Sequence, residues 1–475
     1  MGERRPTVSE ILDSRSLALV GASSRPFKFG SLFLSSLLQM GYEGSIYPIH
    51  EKEREVMGLP AWPRLRSLPE VPELVCITVP AYRCMEVLRE CAGLGVKAVV
   101  IMAAGFREAG PQGERLEGEA LRLAREGGFR IIGPNCFGIY NPRTRLTLLP
   151  GGDFSAEPGK LAFISQSGGY AAHFGRMCMS LGMRFSAIVS YGNGADLDET
   201  ELLEHFFEDE GTGVIAAYLE GVREGRKFFR LLRENRGRKP LILWKVGKSE
   251  AAARAAASHT GSLAGSAEVW GSLLAQCGVV ETEGLEETAV VAQCFYRLGK
   301  RPTRRVLMMG GGGGLCTYAA DLAARYGLEL PPLSPETERR LRAALSPVGA
   351  VVANPLDIGT PLTLPQLFEE IADAAANDAS TDLVLFDLAV NFGRQLLGDE
   401  GVRACLLALM DACSRRGKPC ALNLYNRAGD DLASVLLHSS LREELARRGA
   451  LVFDDLRSAF HSLAAYSPPP IGAAF

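Results

Sequence analysis

Residues 16–30 read SLALVGASSRPFKFG, and the fold turns on this stretch. Ser16–Val20 is a short apolar run of the kind that forms a buried strand, and Gly21 ends it. Gly30–Met40 then sets Leu32, Phe33, Ser36, Leu37 and Met40 on one helical face. Strand, glycine-led loop and helix together open a doubly wound α/β unit. A nicotinamide loop would read GxGxxG, but Ser23 stands at the middle glycine and the next glycine comes only at Gly30. The helix N-terminus still offers backbone N–H groups to an anion. The hydroxyls of Ser23 and Ser24 and the cations Arg25 and Lys28 suit a phosphate-rich nucleotide better than NAD. An ordinary βα turn with surface charge is the competing reading.

The same alternation continues downstream. Ser45–Ile49, Leu74–Val79, Ala98–Ala103 and Arg130–Ile132 read as further strands, with helices at Tyr82–Leu94 and Gly113–Glu126. A Pro/Gly-rich stretch, LPGGDFSAEPGK at 149–160, marks a first boundary. A second α/β series follows, with strands at Leu161–Ser165, Phe185–Val189, Val214–Leu219 and Leu241–Val246. KRPTRR at 300–305 marks a second boundary. The third series opens with Val306–Met309 and the glycine run Gly310–Gly314. Its later strands are Leu383–Leu388, Cys420–Leu424 and Leu451–Phe453. The expected architecture is three doubly wound α/β domains, at 1–150, 151–300 and 301–475.

Composition narrows the function. The 475 residues carry a formal net charge of −3, which gives no support to a nucleic-acid binder. The 11 cysteines form no CxxC pair, so zinc ribbons and thioredoxin-type sites are disfavoured, and no metal site is expected. Scattered reduced thiols fit a cytoplasmic protein. The start, MGERRPTVSE, has no apolar signal region, and no run of about 18 apolar residues suggests a membrane helix.

Further loops fall at the carboxyl ends of the first sheet, where doubly wound folds bind ligands. Among them are Val79–Tyr82, which contains Pro80, and Gly133–Gly138 (GPNCFG). Cys136, taken alone, reads as a small buried hydrophobe. In the second series, the strand Leu161–Ser165 runs into Gln166-Ser167-Gly168-Gly169 and a helix, an anion seat or a plain glycine turn. Glu220 ends the strand Val214–Leu219. His259 sits among small residues in SHTGSLAG.

Together these segments resemble the NDP-forming acyl-CoA synthetase family, which includes succinyl-CoA synthetase and ADP-forming acetyl-CoA synthetase. The stretches that carry the resemblance include GASSRPFKFG, ITVPAY, GPNCFGIYNP, LAFISQSGG, VSYGNGADLDE, YLEGV, ASHTGSLAG and MGGGGGLC with NPLDIG, in family order. The resemblance implies an N-terminal Rossmann-like coenzyme A-binding domain followed by two flavodoxin-like ligase domains. It implies coenzyme A contacts at Ser23, Arg25, Lys28, Val79 and Pro80, with Asn135 and Cys136 near the thiol end. It makes His259 the phosphorylated histidine, with Ser167, Gly168 and Gly169 on its phosphate and Glu220 on the opposite ring nitrogen. Where relatives often read YPVNPK, this chain reads YPIHEK, so His50 replaces Asn.

The family also needs an ATP-grasp module, and no stretch of this chain is left for one. The chain is therefore expected to be an α subunit that works with an ATP-grasp β subunit in an α2β2 assembly. ATP, ADP and Mg²⁺ would be held mainly on the partner. The expected reaction joins a small carboxylic acid to coenzyme A, with no part for nucleic acid or a membrane. Two alternatives stay open: a coenzyme A-binding regulatory protein without catalysis, and an NAD-dependent oxidoreductase.

Overall fold

Strand β1 (Ser16–Val20) is buried along its whole length. Its side chains alternate between two cores: Leu17 and Leu19 join one with Cys76 and Val100, while Ala18 and Val20 join the other with Val75, Ile77 and Val99. A strand covered on both faces has no polar side to show, which is why it reads as a continuous apolar run. Fully burying a leucine such as Leu17 contributes roughly 1.5–3 kcal/mol.

The computed structural model describes residues 4–252, 267–301, 303–345, 349–359, 365–426 and 431–467. The chain forms two compact units, one of residues 1–179 and 184–288, the other of 180–183 and 289–475.

The first unit holds two sheets. In the first, β1 is joined by β2 (Ser45–Ile49), β5 (Leu74–Ile77), β6 (Ala98–Ile101) and β7 (Arg130–Ile132), while β3 (Glu55–Val56) and β4 (Leu59–Pro60) pair as a separate ribbon. The order is β2-β1-β5-β6-β7, all parallel. The chain runs from β1 to β2 and then crosses to β5, so the connections part at the carboxyl ends of β1 and β5.

The second sheet contains β8 (Gly138–Asn141), β9 (Leu146–Thr147), β10 (Leu161–Ser165), β11 (Phe185–Ser190), β12 (Val214–Leu219), β13 (Leu241–Lys245) and β14 (Val280–Thr282), in the order β14-β13-β12-β10-β11-β8-β9. Here the switch point lies between β10 and β12. Strands β8 and β9 add an antiparallel edge that the strand pattern does not foretell. Chain leaving the 133–138 loop pairs Ile139 with Val189 and so covers the open edge of β11.

A buried ion cluster ties the two sheets of this unit. The Arg130 guanidinium grips both oxygens of Glu201 at 2.7 and 2.8 Å, and its Nε reaches Asp196 at 3.0 Å. Asp196 also accepts from Arg5 and from the backbone N–H of Ile131. This fixes the turn after β11 against β7.

The second unit carries β15 (Val306–Gly310), β16 (Leu356–Asp357), β17 (Leu383–Ala389), β18 (Cys420–Tyr425) and β19 (Leu451–Phe453), in the parallel order β16-β15-β17-β18-β19. The same crossover places its switch point between β15 and β17. Helices at Pro365–Asn377, Val390–Arg415 and Leu456–Tyr466 are additional to the sequence expectation. The long one breaks at Gly398, whose φ of 67° interrupts any simple periodicity. Among the described residues no helix is long and apolar enough to cross a membrane.

Candidate functional site

A cleft of about 580 Å³ opens at the switch point of the first sheet. Its walls come from the carboxyl ends of β1 (Val20, Gly21), β2 (Ile49, His50) and β5 (Thr78, Val79, Pro80). The glycine spacing of 21 and 30 has a steric cause. A Cβ on Gly30 would lie 2.2 Å from the Gly21 carbonyl oxygen, and one on Gly21, at φ +91°, would lie 2.6 Å from the Thr78 hydroxyl. The helix Phe29–Met40 can therefore approach the end of β1 only through glycine. The Ser31 hydroxyl lies 2.6 Å from the carbonyls of both Ser23 and Arg25 and sets the loop's path.

Ser23, Arg25, Lys28, Val79 and Pro80 all line this cleft, so five of the expected coenzyme A contacts meet in one place. Lys28 is the N-cap residue of the helix, which has no side-chain cap. Among the described residues Arg25, Lys28 and Lys52 make no ion pair, whereas Arg83 pairs with Glu51. The cleft is thus left with uncommitted cations beside a helix start, the surroundings a phosphate needs. Glu53 also lies in this wall. Its carboxylate accepts from the Ser23 hydroxyl at 3.2 Å and the Ser24 N–H at 3.1 Å. Ser24 holds that carboxyl below its ordinary range.

Asn135 and Cys136 are not part of this wall. Cys136 is buried, with its thiol 3.5 Å from the Ile101 carbonyl, and burial pushes its pKa up, so it is no ready nucleophile. Asn135 has φ 60°, and its N–H donates to the Ala103 carbonyl at 3.1 Å. Two residues on, Phe137 packs against the start of the helix Gly168–Ser180: a Cβ on Gly168 would sit 2.9–3.1 Å from the Phe137 ring.

At the switch point of the second sheet, the Ser167–Gly169 turn and Glu220 come together through Gln166. The side-chain oxygen of Gln166 accepts from the N–H of Glu220 and, at 3.0 Å, from that of Gly221. The backbone N–H of Gln166 donates to the Tyr218 carbonyl at 3.3 Å. The Ser167 hydroxyl accepts from the Tyr170 N–H at 3.3 Å, at the start of the helix Gly168–Ser180. The Tyr218 hydroxyl donates to a Glu220 carboxylate oxygen at 3.1 Å. Glu220 is therefore a buried carboxylate held by its neighbours on the edge where the turn opens.

Lys245, at the end of β13, places its ammonium 2.9 Å from the Glu220 carbonyl oxygen, where burial lowers its pKa to about 8. Tyr170, Tyr218 and Trp244 pack with ring centroids 4.8–5.0 Å apart beside this group. His259 lies outside the described residues.

The second unit has its own cleft, of about 370 Å³, at the ends of β15 and β17. Gly311, Gly312, Asp357 and Asp387 line it together with Phe392 and Leu396. Asp357 accepts from the N–H groups of Gly312 at 2.8 Å and Gly359 at 2.9 Å. Asn354, by contrast, braces the sheet: it accepts from the Met308 N–H and donates to the carbonyls of Val306 and Pro331.

Sequence reasoning missed Gln166, Tyr218, Lys245 and Glu53. Gln166 stands between residues that were singled out, and its position between two strand ends was the available signal. Lys245 closes an otherwise apolar strand, LILWK, and a cation there calls for a partner.

Comparison with known proteins agrees with this fold. Residues 15–142 match the family model described as a CoA binding domain, and residues 158–295 the one described as a succinyl-CoA ligase like flavodoxin domain. The chain is 38% identical over 330 residues to acetate–CoA ligase (ADP-forming) I subunit alpha of Pyrococcus furiosus, covering 68% of this chain and 71% of that one. It is 36% identical over 372 residues to acetate–CoA ligase (ADP-forming) I of Archaeoglobus fulgidus, covering 78% of this chain and 53% of that protein. It therefore spans about half the length of that relative. Among solved structures, the dinucleotide forming acetyl-coenzyme A synthetase 1 of Ca. Korarchaeum cryptofilum, in complex with phosphate and ADP, matches with a TM-score of 0.82 at 29% identity. That match covers 97% of this chain and 96% of the other.

The protein is an α/β ligase-type chain with an N-terminal Rossmann-like CoA-binding domain followed by flavodoxin-like ligase domains. It belongs to the ADP-forming acyl-CoA synthetase family and is similar to that family's α subunits.

Proposed function

We propose that the chain is the α-type subunit of an ADP-forming acid–CoA ligase that works through a phosphohistidine at His259. The observation that supports this most is the junction of the Ser167–Gly169 turn with Glu220 through Gln166. An anion seat and a buried carboxylate on one edge are what a phosphorylated imidazole requires. The turn's N–H groups and helix dipole stabilise the phosphoryl oxygens, and the carboxylate fixes the ring tautomer. In this reading 1–150 binds coenzyme A, 151–300 carries the histidine loop, and 301–475 is the third ligase domain.

The reaction is acid + CoA + ATP ⇌ acyl-CoA + ADP + phosphate. The γ-phosphoryl group passes from ATP to a ring nitrogen of His259, and ADP leaves. The acid's carboxylate then takes the phosphoryl group, giving an acyl phosphate. The thiol of coenzyme A, losing its proton, attacks the acyl carbon, and phosphate departs. Such transfers depend mainly on positioning and electrostatics. Glu220, steadied by Tyr218 and Gln166, orients the imidazole and balances its positive charge. ATP and Mg²⁺ are held by a separate ATP-grasp subunit, the arrangement suggested by relatives named subunit alpha. Mg²⁺, when bound there, neutralises phosphate charge.

The test is reconstitution. The chain with its ATP-grasp partner, a panel of carboxylic acids, CoA and ATP should release ADP and form acyl-CoA, and His259→Ala should abolish both. ADP and acyl-CoA formation by the chain alone would refute the subunit assignment.

A further inference from the structure

In the first cleft a carboxylate occupies the place where an incoming anion needs donors. Glu53 accepts from the Ser23 hydroxyl at 3.2 Å and from the Ser24 N–H at 3.1 Å, and its side chain is 27% exposed. His50 supports it there. The Nδ1 of His50 accepts from the N–H groups of Lys52 and Glu53, at 3.2 and 2.9 Å. The ring proton therefore sits on Nε2, which points to a Glu53 oxygen at 3.4 Å. A carboxylate and a phosphate are both acceptor-only groups, so the two compete for the same hydroxyl and N–H.

We propose that Glu53 is the loop's own anion, holding the seat that a phosphate of the ligand takes, and that its displacement sets affinity for coenzyme A. This rests on the reading of the cleft as the coenzyme A site. With Glu53 in place the Ser23 and Ser24 donors are satisfied and the loop keeps one conformation. A phosphate-bearing ligand takes both donors, adds Arg25 and Lys28, and drives the carboxylate out toward water. Glu53 thereby lowers affinity for every phosphate-bearing ligand of the cleft and leaves a ligand without phosphate unaffected.

The experiment is calorimetric titration of the full chain with CoA and with pantetheine, which has no phosphate, for wild type, Glu53→Gln and Glu53→Ala. Glu53→Gln keeps the side chain's size and removes its charge. Both variants should bind CoA more tightly, by about fivefold, with pantetheine affinity unchanged. CoA affinity that is unchanged or weaker in the variants overturns the proposal, weaker binding meaning that Glu53 contacts the ligand. An equal gain for pantetheine overturns it too. Absence of CoA binding in all three proteins overturns the coenzyme A reading itself, and this inference with it.

Discussion

The side-chain oxygen of Gln166 accepts a hydrogen bond from the backbone N–H of Glu220, so the residue after β10 holds the residue after β12 across the switch point of the second sheet. The Ser167–Gly169 turn and the backbone that carries Glu220 are thus one hydrogen-bonded unit. Gln166→Ala should leave the N–H groups of Glu220 and Gly221 without that acceptor. The expected cost is about 1–3 kcal/mol of stability, read as a lower urea midpoint. Phosphorylation of the reconstituted complex should slow while CoA affinity holds. An unchanged phosphorylation rate would mean that Gln166 is structural only.

The Arg130 cluster should matter for stability more than any surface pair. Arg130→Ala takes the guanidinium from Glu201 and leaves Asp196 to Arg5 and the Ile131 N–H, a loss of about 1.5–3 kcal/mol. Thermal unfolding of the purified chain should shift clearly downward, whereas Arg122→Ala, which loses an exposed pair with Glu126, should change it little.

Glu199 gives a pH signature. Burial, then the nearby charge of Asp198, raises its carboxyl from 4.5 to about 7. The folded chain therefore keeps a proton that the unfolded chain loses above 4.5. This contribution is fully present below pH 4.5 and is lost as pH rises toward 7, by up to about 3 kcal/mol. Relative to Glu199→Gln, wild type should become less stable across that window in denaturant titrations. Parallel curves would contradict the assignment.

The strands were legible because parallel strands covered on both faces must be apolar throughout, as in SLALV, LVCI and AVVI. The edge strands Gly138–Asn141 and Leu146–Thr147 were not, because they are short and exist only to pair with β11 and with each other. The helix Val390–Arg415 escaped because Gly398 breaks its period. Within the first cleft, Ser23, Arg25 and Lys28 were readable from the loop itself. The seating of Glu53 among the Ser23 and Ser24 donors is a tertiary fact: 29 residues separate Ser24 from that carboxylate. Cys136 followed its chemistry as a small buried hydrophobe rather than its proximity to a ligand loop.

The cations of the first loop should act through phosphate. Arg25→Ala combined with Lys28→Ala should weaken CoA by about tenfold or more at low salt, from the loss of two charge-assisted contacts. Pantetheine binding should be unaffected, and raising ionic strength should narrow the difference. Equal losses for CoA and pantetheine would point to a misfolded loop.

In the proposed relay His259 carries a phosphoryl group between ATP and the acid. Its most direct measurement is labelling of the chain in complex with its ATP-grasp partner, using ATP radiolabelled at the γ-phosphate. Wild type should take acid-labile, base-stable label, His259→Ala none, and Glu220→Gln label only slowly, with equal CoA affinity in all three. Full ADP-forming activity by the His259→Ala complex, or equal label on it, would rule out the phosphohistidine relay.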